Sequence, residues 1–492
     1  MEYLLTKTKI KTGLQCHKKL WFDVNDRIIQ KSHILNLGNR FGDYVKDYYG
    51  NGLDLTNRHD PNIIKDTLDG INDPGVNVIY EAAFLFSNTL IRADVMLRDG
   101  EKWKLIEAKS STSIQDDHLI DAAIQSYVIK NSNILLSEVK IAHINKNFIY
   151  EGDSNYKDFL VEVNISEKIY EFESVVQDWI NNLIPVVKDK DMPLIEMGDQ
   201  CSKHKRKCIY FDRCESQTYL RDIEIPTKLL PNLSRKRQKK WFDMGIYDLR
   251  DLPSSELKNE LHKRIQLCHQ EQKEWINPEL VSQINNYSWP RYFIDFETVQ
   301  QGVPVIKSTA PYEGFPFQYS VHKWEYKDQN LTIEDSKSFL EFTADGMDKR
   351  FLESLIEILG NDGPIFTHNS STEISALKRL IAREDCRVFE SPIENIIDRT
   401  IDTVAMVRNG FYNPIMMGSF SLKDIVKVLP EAIKYSNEDD EVGDGGGAMI
   451  KWFEYTEPTT SIEEKNKITS NLVRYCAQDT INLYYLFKYI TR

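Results

Sequence analysis

The stretch YFIDFETV, residues 292–299, constrains the chain most, because it sets two carboxylates into an otherwise apolar strand. Asp295 and Glu297 stand at i and i+2, so both side chains leave the strand on one face. Buried charge is costly unless a metal, a cation or hydrogen bonds compensate it. A fold that accepts this strand centrally must therefore supply one of the three.

Two later segments offer further groups. PIFTHNSSTEISALKRL reads as strand, turn and helix, with Asn369 at the strand end and Glu373 in the first helical turn. NLVRYCAQDTINLYYLF reads as an amphipathic helix in which Tyr475 and Asp479, at i and i+4, share a face.

A second constellation lies in TLIRADVMLRDGEKWKLIEAKSS, which reads as two strands joined by an Asp99-Gly100 turn. That loop pairs Arg98 with Glu101 and sets Asp94 opposite Leu105, so Asp94, Glu107 and Lys109 share a face. Paired carboxylates suit a hard cation such as Mg²⁺ or Mn²⁺, and a lysine beside them can polarise water or stabilise an anionic transition state. The plainer reading is a solvated hairpin with a Glu107–Lys109 ion pair.

Three of the seven cysteines fall in QCSKHKRKCIYFDRC, at Cys201, Cys208 and Cys214. Without a signal peptide, such a cluster suggests reduced or metal-bound thiols. Taken alone, its spacing suits zinc, with His17 or His204 able to substitute as ligand.

The chain has 492 residues and a formal charge of -13, yet Cys201–Trp241 holds 12 Lys+Arg against 4 Asp+Glu. Within that band Lys203, Lys205, Arg206, Lys207, Arg235, Lys236, Arg237, Lys239 and Lys240 are candidate phosphate contacts. No apolar run reaches membrane-span length, so a cytoplasmic protein is expected. Such a length implies several domains: mixed α/β over 1–217, short helices over 218–288, and a new α/β pattern over 289–492. Within 218–288, the Gly245 turn weakly resembles a helix-hairpin-helix. GDGGGA, 443–448, reads as a flexible loop beside the second constellation, and no P-loop lysine follows it.

The order Asp94, Glu107, Lys109, followed by a helix carrying Gln125, resembles the PD-(D/E)XK core of RecB-like and AddB-like nucleases. The resemblance implies that Asp94 and Glu107 hold metal, that Lys109 is catalytic and that Gln125 lines the site. Tyr127 is carried over beside it, and Asp43 or Glu81 is a further acidic candidate. One branch of these nucleases closes its fold with a four-iron four-sulfur cluster on one cysteine before the core and three after it. Cys16, Cys201, Cys208 and Cys214 match that layout, with a longer first interval in the trailing set. This implies an iron–sulfur cluster where the spacing alone suits zinc.

The 289–492 pattern resembles the DnaQ-like DEDD exonucleases of RNase H-like fold. It implies that Asp295, Glu297, Glu373 and Asp479 hold two Mg²⁺ ions about 4 Å apart and that Tyr475 positions water. Glu373 departs from the usual aspartate, and Asp402 reads as a supporting acid. Together with PFQYSVH and GSFSLKDIV, the whole resembles a bacterial family of RecB-like nucleases fused to a DnaQ-like domain. The expectation is an α/β enzyme with two phosphodiester-hydrolysing sites, acting on DNA in preference to RNA, with any helicase supplied by a partner. The alternatives are a nucleic-acid-binding scaffold in which only the N-terminal site cuts, and an RNA-directed exonuclease. His33, His118 and His322 are expected to be core or surface residues.

Overall fold

Two sheets carry Asp94 and Glu107, and Asp295 and Glu297, respectively. In the computed structural model, which describes residues 4–28, 35–57, 61–203, 206–218, 222–435, 442 and 445–492, the chain is mixed α/β. It divides into one unit of residues 1–218 with 301–305 and 309–312, and a second unit of the remainder. His33, His204, Lys205, Gly443 and Asp444 lie outside the described residues, as do the side chains of Lys203 and Arg206.

The first unit is built on strands β1 (Leu5–Thr6), β2 (Leu53–Asp54), β3 (Val78–Phe86), β4 (Thr89–Asp99), β5 (Lys102–Lys109), β6 (Leu136–Ile144) and β7 (Leu160–Asn164). They form one sheet in the order β2-β3-β4-β5-β6-β7, with β1 alongside β4. Alternation along β4 and β5 sends Val95 and Ile106 into one core with Phe41 and Val45. Met96 and Leu105 enter the other, with Ile124 and Leu183. Odd-numbered β5 positions therefore face the helix Asp116–Asn131.

The expected hairpin register is corrected. Asp99 pairs with Lys102 and Met96 with Leu105, so the turn is Gly100-Glu101, with Gly100 at φ +64°, and the register, extended one step past its last pair, points Asp94 toward Glu107 rather than Leu105. A slip of two residues preserves side-chain direction, which is why Asp94, Glu107 and Lys109 still share a face.

A small hairpin of β8 (Ser202–Lys203) and β9 (Arg206–Lys207) carries the basic insert between the cysteines. In the second unit β10 (Trp275–Ile276) precedes the main sheet strands β11 (Arg291–Val299), β12 (Phe315–Trp324), β13 (Lys337–Leu340), β14 (Ile365–Thr367) and β15 (Thr400–Asp402). Their order is β13-β12-β11-β14-β15, antiparallel on the β12 side of β11 and parallel on the β14 side. The YFIDFETV strand is thus central, as its apolar character requires. β16 (Phe411–Tyr412) pairs with β10.

The helix Ile462–Ile490, capped by Ser461 and Glu464, crosses this sheet. Its buried Thr480 meets Ser320 and His322 of β12. His322 is fully buried, and burial lowers its pKa to about 4. The short helices of 219–288 contribute Trp241, Leu249, Ile265 and Ile284 to the core that holds Phe293 and Phe487.

Two expectations fail here. Gly445–Ala448 opens the helix Gly445–Thr456 rather than a flexible loop. The N–H groups of Gly245 and Ile246 bond to Phe242 O and Trp241 O, closing the helix Arg235–Asp243. They are thereby taken from any phosphate.

Candidate functional sites

Pairing of β4 with β5 stops at Val95 and Ile106, and just beyond it Asp94 Oδ2 accepts the Ala108 N–H at 2.8 Å. Glu107 is fully buried. Its Oε1 accepts from Lys109 Nζ at 2.6 Å and from Lys7 Nζ at 2.7 Å. Its Oε2 accepts from Gln125 Nε2. Lys109 also bonds Asp121 Oδ2 at 2.7 Å, an oxygen it shares with Lys11 at 2.9 Å.

The charges settle unequally on the two acids. Burial opposes ionisation of Glu107, but Lys7 and Lys109 outweigh it and hold the carboxyl well below the usual range. Burial and the Glu107 charge push Asp94 up to about 7. Burial works against the Lys109 ammonium, yet Glu107 and Asp121 keep it protonated well above its ordinary range. The result is a firm carboxylate, an adjustable one and a fixed cation on one face. That set can hold a hard cation and stabilise a developing oxyanion.

The other acids proposed for this site do not join it. Asp43 is exposed. Glu81, at φ +57°, turns its carboxylate to Arg92 at 2.9 Å. Tyr127 donates to Gln177. His118 Nδ1 accepts the Gln115 N–H and so caps its own helix.

Cys16 lies between the helices Lys7–Gln15 and His17–Asn25. Gln15 Nε2 bonds Gln200 O at 2.8 Å, and Tyr210, between Cys208 and Cys214, stacks on Phe22 and bonds Asp23 at 2.6 Å. These contacts bring the trailing cysteines to Cys16. Burial raises the Cys208 and Cys214 thiols, and each also feels the charge of Cys201 and Cys16. Among the described residues, no three of these sulfurs lie within 4.8 Å of one another.

In the second unit, ligand oxygens of Asp295, Glu297 and Asp479 all lie within 4.8 Å of one another. Burial and repulsion by Asp479, Glu297 and Glu373 push Asp295 well above the usual carboxylate range. Burial likewise lifts Asp479 to about 6. Glu373 is not one of these three, but its charge still reaches Asp295. It is buried, its Oε2 has no hydrogen-bond partner, and burial raises it to about 7. Among the described residues no cation pairs with Asp295 or Glu373. An acidic, charge-deficient set of oxygens is what a divalent cation stabilises.

Residues 292–421 match the sequence-family model of a domain of unknown function, DUF2779. The match takes in Asp295, Glu297 and Glu373 and ends before Tyr475 and Asp479. A search of curated proteins finds no match to the chain.

Beside Asp479 opens a cleft of about 720 Å³, with Arg408, Lys423, Phe420 and Tyr435 in its walls. Tyr435 donates to Asp479 Oδ1, and Tyr475 lies close to the Tyr435 ring, with centroids 6.5 Å apart. Asp402 Oδ1 accepts the N–H groups of Asn369 and Val404, so it caps the helix Thr403–Gly410. A second acidic group, Asp348, Asp385 and Cys386, already has Arg383 and Lys349 as partners.

The basic candidates are mostly on the surface. Arg235, Lys236, Lys239 and Lys240 are exposed and Arg237 half-buried on one helix, where Lys240 pairs with Glu256 at 2.7 Å. Lys207 pairs with Asp212 and lies over the Phe211 ring.

Sequence reasoning missed Lys7, Lys11, Asp121, Tyr435 and the Cys476 thiol, which lies 3.7 Å from Asp295 Oδ2. Only Asp121 carried a signal, being one helical turn before Gln125 on the same face.

Proposed function

We propose that the chain is a metal-dependent nuclease with two phosphodiester-cleaving centres, one in each unit, acting on DNA ends. The observation that carries the reading is the convergence of the Asp295, Glu297 and Asp479 oxygens, supplied by a central strand and a distant helix. The β13-β12-β11-β14-β15 order with one antiparallel flank supports an RNase H-like, DnaQ-like unit. The Asp94–Glu107–Lys109 face, with Gln125 on the helix beneath it, supports a PD-(D/E)XK unit.

Asp295, Glu297 and Asp479 would hold Mg²⁺ or Mn²⁺ in one unit, and Asp94 and Glu107 in the other. Such ions, when bound, activate water and neutralise charge on the leaving oxygen. Cys16, Cys201, Cys208 and Cys214 would hold a four-iron four-sulfur cluster, whose contribution is to tie the two ends of the first unit together. For the chain's own part, Lys109 offers a fixed positive charge to the scissile phosphate. Tyr475 and Tyr435 orient groups at Asp479. Arg408 and Lys423 in the cleft draw in the backbone of a strand, and Phe420 offers a face for a base.

A second reading has one specific support. Glu373 is one methylene longer than the aspartate the resemblance calls for, which would shift a second metal and favours a C-terminal unit that binds strands while only the N-terminal centre cuts. End-labelled single- and double-stranded DNA and RNA, incubated with Mn²⁺ and wild type, Lys109→Ala or Asp295→Ala, separates these. Loss of cleavage in both variants, by about a hundredfold or more each on that centre's substrate, supports two centres. Loss only in Lys109→Ala supports the binding-unit reading. Unchanged cleavage in both sinks the proposal, and preference for RNA moves the substrate.

A further inference from the structure

At the opposite end of β11 from its carboxylates, Arg291 is 97 % enclosed, with a relative exposure of 3 %. A strand rise of about 3.3 Å per residue puts its Cα about 13 Å from that of Asp295. Its guanidinium lies over the Trp289 ring, 3.9 Å from the centroid, and 5.2 Å from that of Trp324. Nη2 donates to the Asn285 and Tyr287 carbonyls, but the buried Nε has no acceptor. Among the described residues no carboxylate pairs with it. The indole Nε1 of Trp324, itself 3 % exposed, is likewise buried without an acceptor.

Both side chains line one pocket of about 480 Å³. Tyr485 and Tyr489 add aromatic wall, and Lys327 and Lys488 add positive charge. Carbonyl bonds and ring stacking account for holding Arg291 in place. They do not account for a cavity that Arg291 lines together with four aromatic rings and two lysines. The carboxylates of Asp328 and Glu431 also line it, both exposed, so an anion would be recognised by placed contacts to Arg291, Lys327 and Lys488 rather than by net charge.

We propose that this pocket binds a nucleoside monophosphate, its base against the tryptophan and tyrosine walls and its phosphate toward Arg291, Lys327 and Lys488. The volume is in the range of small-ligand sites. Base stacking and charge-assisted hydrogen bonds are the two interactions the wall residues offer. Neither cleavage nor a metal enters this inference, so it is separable from the nuclease reading.

The test is calorimetric titration of the full chain, in the presence of a chelator, with deoxyadenosine monophosphate, adenosine and inorganic phosphate. Saturable binding of the nucleotide below about 1 mM is expected, with adenosine and phosphate each at least about tenfold weaker. Lys327→Glu with Lys488→Glu is expected to weaken binding about tenfold with an unchanged melting temperature, and Arg291→Gln to abolish it. Because Arg291→Gln disturbs a buried position, the lysine pair decides the matter. Asp295→Ala is expected to leave binding intact. The proposal is overturned by no saturation, by unaltered affinity in the lysine variant, by loss of binding in Asp295→Ala, or by phosphate or adenosine alone binding as tightly as the nucleotide.

Discussion

Lys7 donates to Glu107 Oε1 at 2.7 Å across 100 positions of sequence, and shares that oxygen with Lys109. With Gln125 on Oε2, both oxygens of the buried acid already have protein donors. A divalent cation reaching Glu107 competes with them for its lone pairs and with Lys7 for the site's charge, and Lys7 is the donor that belongs to neither β5 nor the Gln125 helix.

Lys7→Met is therefore expected to tighten Mn²⁺ binding several-fold while costing the metal-free protein about 1.5–3 kcal/mol, the range for a hydrogen bond to a charged group. Calorimetric titration and chemical denaturation read the two effects. Unaltered Mn²⁺ affinity would count against Lys7 as the competing group.

Asp402 separates a cap from a ligand. Asn caps helices about as well as Asp, whereas Ala costs about 1 kcal/mol. Asp402→Asn is expected to keep stability and cleavage, and Asp402→Ala to lose about that much stability. A large loss of cleavage in Asp402→Asn at normal stability would make Asp402 a metal ligand instead.

Stability should fall with rising pH in metal-free protein. Asp94 and Glu373 are pushed up to about 7 by burial, from ordinary values of 3.8 and 4.5. Between those values the folded chain holds protons that the unfolded chain has released, so unfolding becomes easier as pH rises. His322, lowered to about 4 from 6.5, acts in the opposite sense below its ordinary value and is neutral in both states above it. The clean window is therefore from about pH 6.5 to 8, where each acid should forfeit about 1 kcal/mol. Melting curves with chelator should show the fall, and Mn²⁺ should reduce it. A flat profile with chelator contradicts the raising of these two acids by burial.

Cys16→Ala tests the thiol cradle. If the four cysteines hold an iron–sulfur cluster, this variant is expected to lose visible absorbance and to expose residues 1–218 to protease, while Cys268→Ala keeps the colour. Stoichiometric zinc in a colourless wild type would refute the cluster.

Side-chain alternation made much of the framework legible. Period-two spacing alone places Asp94, Glu107 and Lys109 on one face and Asp295 with Glu297 on another, because strand side chains alternate whatever the neighbours do. Helical spacing does the same for Tyr475 and Asp479. The hairpin register was not legible, since a two-residue slip leaves every side chain on its original face and changes only its opposite number. The short Gly445–Thr456 helix was hidden by its glycines, whose low propensity is overridden by burial of Ala448, Trp452 and Phe453.

The amino-acid order determined which side chains share a face, because that depends only on local backbone repeat. Tertiary structure alone decided which distant groups meet them. Lys7 and Asp121 at Glu107 and Lys109, Tyr435 at Asp479, and the rings around Arg291 all depend on how layers pack. Packing is set by complementary burial across the whole core, and no local spacing encodes it.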